Sequence, residues 1–325
     1  MISSISYNSA DYFRLYPDCK LVHGLHKSAI YDLTRNSIYT IPSEIAKVFE
    51  HDYIRISRIP ERLKDEFLQF VMDNELGRIN MTDEFKQISE EFIFPGLITN
   101  AILDISNFSN DIQYIANELN EVGCTAVLLR FVDDTSSKRI TEIASYFRND
   151  TVDSLTIALK SNRNIEEIIN ALIWELVLCS GIIVFETDQE KDIFVNAVPI
   201  SYRRGKLGNM TCSDIDCSQW TNANLFFYNE SLKYNNCLNR KVYIDVDGNV
   251  CNCPIHTETF GNVYTNSLGT IVKSNAFQEK WIIADEFLVD CKSCELRYAC
   301  TNCKHRIGQC VYKLNRGCDL IVQNS

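Results

Sequence analysis

The spacing of apolar positions changes along the chain, and each change predicts a different kind of element. Residues 28–33 (SAIYDL) and 37–42 (SIYTIP) are short apolar, β-branched and aromatic runs. Thr34, Arg35 and Asn36 separate them, which is the pattern of a hairpin. Ser43 with Lys47 and Val48 opens a helical period. The stretch 61–74 sets Leu63, Phe67, Phe70 and Val71 at helical spacing, and a strand-like 77–82 (GRINMT) follows. For residues 1–92 this predicts a winged-helix-like module, with any small α+β domain as the plainer alternative.

Residues 93–210 have another rhythm. The apolar runs LITNAILDIS, TAVLLRFVDD, SLTIALKS and GIIVFETD alternate with amphipathic stretches. The apolar positions of those stretches are Ile112, Ile115, Leu119 and Val122, then Ile140, Ile143 and Phe147, then Ile165, Ile168, Ile169, Leu172 and Leu176. Strands alternating with helices predict an α/β fold with a parallel sheet, either half of an eight-unit β/α barrel or a small open sheet. Function in such sheets gathers at the carboxyl ends of the strands, where this chain has Asp104, Arg130, Asp133, Asp134, Glu186 and Asp188. The plainer role for those six is helix capping and loop solvation. Cys124 and Cys179 border the amphipathic stretches and read as small core residues.

Composition narrows the function. The chain has 325 residues, 46% of them hydrophobic, enough for two or three domains with buried cores. A formal net charge of −11 with no basic stripe argues against a nucleic-acid partner. No run of eighteen apolar residues predicts a membrane span, and the first residues lack the pattern of a signal peptide, so the expected compartment is the cytoplasm. In a reducing compartment, fourteen cysteines, nine of them after residue 236, point to metal ligation rather than disulfides.

The cysteines of residues 211–325 form two groupings. In the first, Cys237, Gly248 and Cys253 are separated by ten and then four residues, and the two cysteines flank a strand-like KVYIDVDGNVC. Asp247 and Gly248 predict a hairpin turn there, with Cys237 and Cys253 at its two open ends. In the second, Cys291, Cys294, Cys300 and Cys303 stand in CKSCELRYACTNC. Two CxxC pairs separated by five residues leave too short a loop for a zinc ribbon, whose knuckles stand roughly 15–20 residues apart. Iron–sulfur ligation shared with distant cysteines fits better, with structural zinc as the alternative. His256 and His305 lie beside these groups, with surface or supporting roles favoured over ligation.

This pattern resembles the SPASM domain of peptide-modifying enzymes. CELRYACTNC, KSAIYDLTRNSIYTIP and PGLITNAILDIS together resemble the grasp-with-spasm peptide maturases. One departure is that Thr301 and Asn302 alone separate the last cysteine pair, where the family usually has three residues. The resemblance implies two auxiliary [4Fe–4S] clusters. Cys291, Cys294, Cys300 and a late cysteine would hold one. Cys318 is preferred to Cys310 for the late ligand, because fourteen residues after Cys303 give the chain room to return and six scarcely do. Cys237, Cys253 and Cys303 would supply three ligands of the other cluster. Its fourth would be Cys251, Cys217 or Cys212, or a peptide substrate or water. The implied partners are an ATP-grasp ligase and a ribosomal precursor peptide. The precursor would dock on the N-terminal hairpin by strand addition, with Ile30, Tyr31 and Leu33 beside the docking edge or in the hairpin core.

The CxxxCxxC loop that most SPASM proteins carry after the first barrel strand is missing, since NFSND follows LITNAILDIS. The barrel segment thus resembles a degenerate radical enzyme domain, and reductive cleavage of S-adenosylmethionine is not expected. Cys19, His23 and His26 repeat that spacing but precede the hairpin, and imidazoles are poor substitutes for cluster thiolates, so the match reads as coincidence. Catalysis and mere presentation of the precursor both remain open.

Overall fold

The computed structural model describes residues 11–79, 85–108, 111–148, 150–176, 178–207, 222–256, 258–284 and 291–300. Cys212, Cys217, Cys303, His305, Cys310 and Cys318 lie outside the described residues. The chain divides into two units. One takes Met1–Phe92, Asp216–Asn236 and Ile283–Ser325, and the other takes Ile93–Ile215 and Cys237–Ile282.

The first unit begins with β1 (Tyr12–Leu15), β2 (Cys19–Val22), β3 (Lys27–Asp32), β4 (Ser37–Pro42), α1 (Ser43–Ala46), β5 (Tyr53–Arg55), α2 (Glu61–Asp73) and β6 (Gly77–Ile79). Strand β1 lies antiparallel between β5 and β6, while β2, β3 and β4 form a second three-stranded sheet. The expected hairpin is β3–β4, with Asp32 opposite Ser37. Its turn is chemically specified. The Asp32 carboxylate accepts from the backbone N–H of Thr34 (3.1 Å) and of Arg35 (2.8 Å), and Asn36 takes φ 53°. The helical period of 61–74 buries Phe67, Leu68 and Val71 of α2 in one core with Phe13, Ile45 and Ile54. Each such side chain contributes roughly 1.5–3 kcal/mol by leaving water.

The second unit is built on β7 (Asn100–Ile105), α3 (Ile112–Glu121), β8 (Ala126–Phe131), α4 (Ser137–Ser145), β9 (Ser154–Lys160), α5 (Ile165–Glu175), β10 (Cys179–Phe185), β11 (Lys191–Val195) and β12 (Val198–Tyr202). These strands carry the four apolar runs of the sequence. Asp111 caps α3 by accepting from Tyr114 N–H at 3.1 Å, and Ser136 caps α4 by accepting from Arg139 N–H at 3.3 Å. After α6 (Leu225–Lys233), which belongs to the first unit, the chain adds β13 (Lys241–Ile244), β14 (Val250–Cys251), α7 (Leu268–Val272) and α8 (Asn275–Gln278) to the second.

The resulting eight-stranded sheet has the order β11-β12-β10-β9-β8-β7-β13-β14. It is parallel from β12 to β13, with the antiparallel β11 and β14 at its two ends. Strand side chains alternate in direction. Leu103, Leu129, Ile157 and Val184 therefore share a face, and they pack in one core with Ile115, Leu119, Ile140, Ile143, Ile169 and Leu172 of α3, α4 and α5. Cys124 and Cys179 belong to that core, as their apolar setting predicts. The opposite face carries Ile102, Asp104, Leu128, Arg130 and Tyr243, fixed there by the pairings Asp104 with Arg130 and Tyr243 with Ile102.

Candidate metal centre

The first cysteine grouping lies on the expected hairpin. Strands β13 and β14 pair Tyr243 with Cys251 and Ile244 with Val250. The turn is tied by the Asp245 carboxylate, which accepts from Asp247 N–H at 2.9 Å and from Asn249 N–H at 2.8 Å. Gly248 is required at φ +84°, where a Cβ would also meet the Tyr264 ring at 2.5 Å. Cys237 is half-buried just before β13, Cys251 is buried in β14, and Cys253 is buried just after it. Burial, and then the Asp245 and Glu258 carboxylates, push the Cys251 thiol above its usual range. His256 is buried too, at 8% exposure, so it is not a surface residue, and its backbone N–H donates to the Cys253 carbonyl at 3.0 Å.

The second grouping lies in a run of tight turns. Cys294 N–H donates to the Cys291 carbonyl at 2.8 Å, and Ala299 N–H donates to the Leu296 carbonyl at 3.0 Å. Leu296 N–H points at the Cys294 sulfur, at 3.4 Å. The Cys294 thiol is pushed up to about 12, chiefly by burial; the Leu296 N–H pulls the other way, and Glu295, Cys300 and Cys291 add to the rise. Cys291 and Cys300 thus disfavour ionisation of Cys294, and as thiolates the three would repel one another. That suits a cationic occupant, which reverses the mutual repulsion and takes the cysteines as thiolates.

Among the described residues no three His, Cys, Asp or Glu side chains gather closely enough to hold a single metal ion. A zinc site with bonds near 2.3 Å needs its sulfurs within about 3.8 Å of one another. A cluster spreads its thiolates over separate irons. The Leu296 N–H on the Cys294 sulfur suits a thiolate that holds such a group, and the further ligands expected with it, Cys303, Cys310 and Cys318, lie outside the described residues.

The family model for the SPASM iron–sulfur cluster-binding domain matches residues 236–304. A SPASM domain lies at residues 236–304 and binds iron–sulfur clusters. Neither a curated protein nor a solved structure matches the chain. The SPASM match begins at Asn236, one residue before Cys237, and takes in all of Cys237, Cys251, Cys253, Cys291, Cys294, Cys300 and Cys303, while Cys310 and Cys318 fall beyond it. No helix among the described residues is long and apolar enough to cross a membrane.

Two further places carry chemistry. At the carboxyl ends of β7 and β8, Arg130 donates from Nε to Asp104 Oδ1 (2.5 Å) and from Nη2 to Asp104 Oδ2 (2.8 Å). The Tyr243 hydroxyl donates to Oδ2 at 2.9 Å, and the guanidinium lies 5.6 Å from the Tyr243 ring centroid. The pair is buried, with side chains 3% and 10% exposed, and Arg130 Nη1 has no hydrogen-bond partner among the described residues. Capping and solvation therefore do not describe Asp104 and Arg130, although Asp133 does serve its loop by accepting from Asn107 N–H at 2.9 Å. The other place is a cleft of about 620 Å³ lined by Tyr16, Asp18, Thr34, Arg35, Glu75 and Arg78 among others, all within the N-terminal module.

Ile30, Tyr31 and Leu33 are buried, at 0%, 0% and 4% exposure, so these three side chains are core rather than docking surface. Cys19 is buried in β2, its thiol held far above the usual range by desolvation and then by Asp18 and Asp32. It forms no metal-holding group with His23 and His26.

Proposed function

We propose that this protein takes part in maturing a ribosomally synthesised peptide together with an ATP-grasp ligase, binding the precursor and carrying two [4Fe–4S] clusters. The observation that carries the reading is the SPASM domain, whose cysteines stand on a chemically specified hairpin and in a loop with a backbone N–H on sulfur. Cys291, Cys294 and Cys300 would hold one cluster with Cys318 or Cys310. Cys237, Cys253 and Cys303 would hold the other, with Cys251, Cys217 or Cys212 as a further ligand. Bound clusters supply electron transfer or a Lewis-acidic iron.

In this reading residues 1–92 are a winged-helix-like peptide module, and its cleft of about 620 Å³ supports that role. Residues 93–210 are a partial barrel of the radical-enzyme type, supported by the β/α alternation and by helices α3, α4 and α5 packing on one sheet face. Residues 211–325 are the cluster-bearing part. A second reading, a precursor-presenting scaffold with a structural cysteine domain, is favoured by one observation. No cysteine follows β7 in the sequence SNFSND, where a radical enzyme would hold its own cluster.

Anaerobic purification with iron, sulfide and zinc quantitation tests the first reading. The expected content is about eight irons and eight sulfides per chain. Stoichiometric zinc without sulfide would leave the scaffold. Cys294→Ala should lower iron content and destabilise the unit holding that loop, because ligand binding contributes folding free energy.

A further inference from the structure

The 291–300 loop has little regular structure of its own and is held largely by residues far away in sequence. Leu25 N–H donates to the Ser293 carbonyl at 2.9 Å, and Arg297 Nη1 donates to the His23 carbonyl at 2.7 Å. The Tyr31 hydroxyl donates to the Glu295 carbonyl at 2.7 Å, between residues 264 apart in sequence. From behind, Asn222 N–H donates to the Ala299 carbonyl at 2.7 Å and Asn236 Nδ2 to the Cys300 carbonyl at 3.2 Å. Tyr31, Val22, Ala29 and Ile38 form one apolar cluster with Leu296 and Ala299, and Cys294 packs against it. Gly24 approaches so closely that a Cβ there would meet the Glu295 side chain at 2.8 Å.

We propose that the β2–β3–β4 sheet is part of the cluster site. Tyr31 and Arg297 act as positioning residues that fix the backbone bearing Cys291, Cys294 and Cys300. The SPASM match at 236–304 assigns nothing to this sheet. The inference rests on the reading that these three cysteines hold a group. Its physical content is linkage: what orders the loop orders the sheet, and the reverse.

The test uses the full chain, loaded anaerobically. Tyr31→Phe removes one hydroxyl and keeps the ring. It should release metal to a chelator several-fold faster than wild type and shift the electron paramagnetic resonance signal of the reduced cluster. Trp174→Ala, on the exposed side of α5, should change neither. In the wild-type chain, metal loading should slow amide exchange in β3 and β4 at least several-fold. Unchanged release, an unchanged signal and exchange indifferent to metal would overturn the proposal. Zinc without sulfide in the wild type would overturn the cluster reading alone, and the release and exchange measurements would then decide the positioning role with zinc. A chain that takes up neither metal would overturn both.

Discussion

In the eight-stranded sheet, Leu103, Leu129 and Ile157 stand side by side on adjacent strands at zero exposure. They are covered by three helices whose own apolar stripes arrive by local sequence. The 291–300 loop has a smaller apolar anchor and a handful of directional bonds, most of them from distant donors to its own backbone carbonyls. The first region, at its helix-covered face, is stabilised by area removed from water. The second is stabilised by geometry, so small losses should reach its ligands. An iron–sulfur domain placed on such a loop depends on residues that its own motif does not contain.

The largest break in that comparison is expected at the one polar exception within the sheet. Asp104→Ala strands the buried Arg130 charge and should cost about 3–5 kcal/mol, measured by denaturant unfolding of the second unit. Leu129→Ala should cost about 3 kcal/mol through lost burial and a cavity. Its metal content at low temperature should equal that of wild type. Equal losses of metal and stability would mean that the two regions are not energetically distinct. Arg297→Ala removes bonds to the His23 and Cys294 carbonyls and a stacking contact 4.5 Å from the Tyr298 ring centroid. It should cost only about 1 kcal/mol yet raise the rate of metal release more than Leu129→Ala does.

How much could be read in advance follows from sequence distance. The β13–β14 turn was legible because Asp247-Gly248 is a local signal, and the four parallel strands because their apolar runs are long and bounded by helical periods. The β11–β12 hairpin escaped notice. Its turn is made by Asn196 and Ala197 at φ 48° and 66°, without the glycine that usually marks such a conformation. Strands β1 and β2 are four residues each, too short for a period of two to stand out. The pairing of Asp104 with Arg130 depends on strand register, and that of Tyr31 with Glu295 on a closure across most of the chain. Neither leaves a trace in local spacing.

The division of the chain also sets an order in time. Residues 93–215 are contiguous and carry most of the parallel sheet, so that sheet can assemble soon after they leave the ribosome. Tyr31 must wait for Glu295, 264 residues later, which at 5–20 residues per second is roughly 13–50 s. Through that interval Ala29 and Tyr31 of β3 lack Leu296 and Ala299, the last members of their apolar cluster, and the sulfurs of the last loop do not yet exist. Iron delivery and completion of the first unit are thus late events in synthesis, and a nascent chain stalled before residue 291 would present an apolar sheet to chaperones rather than to iron.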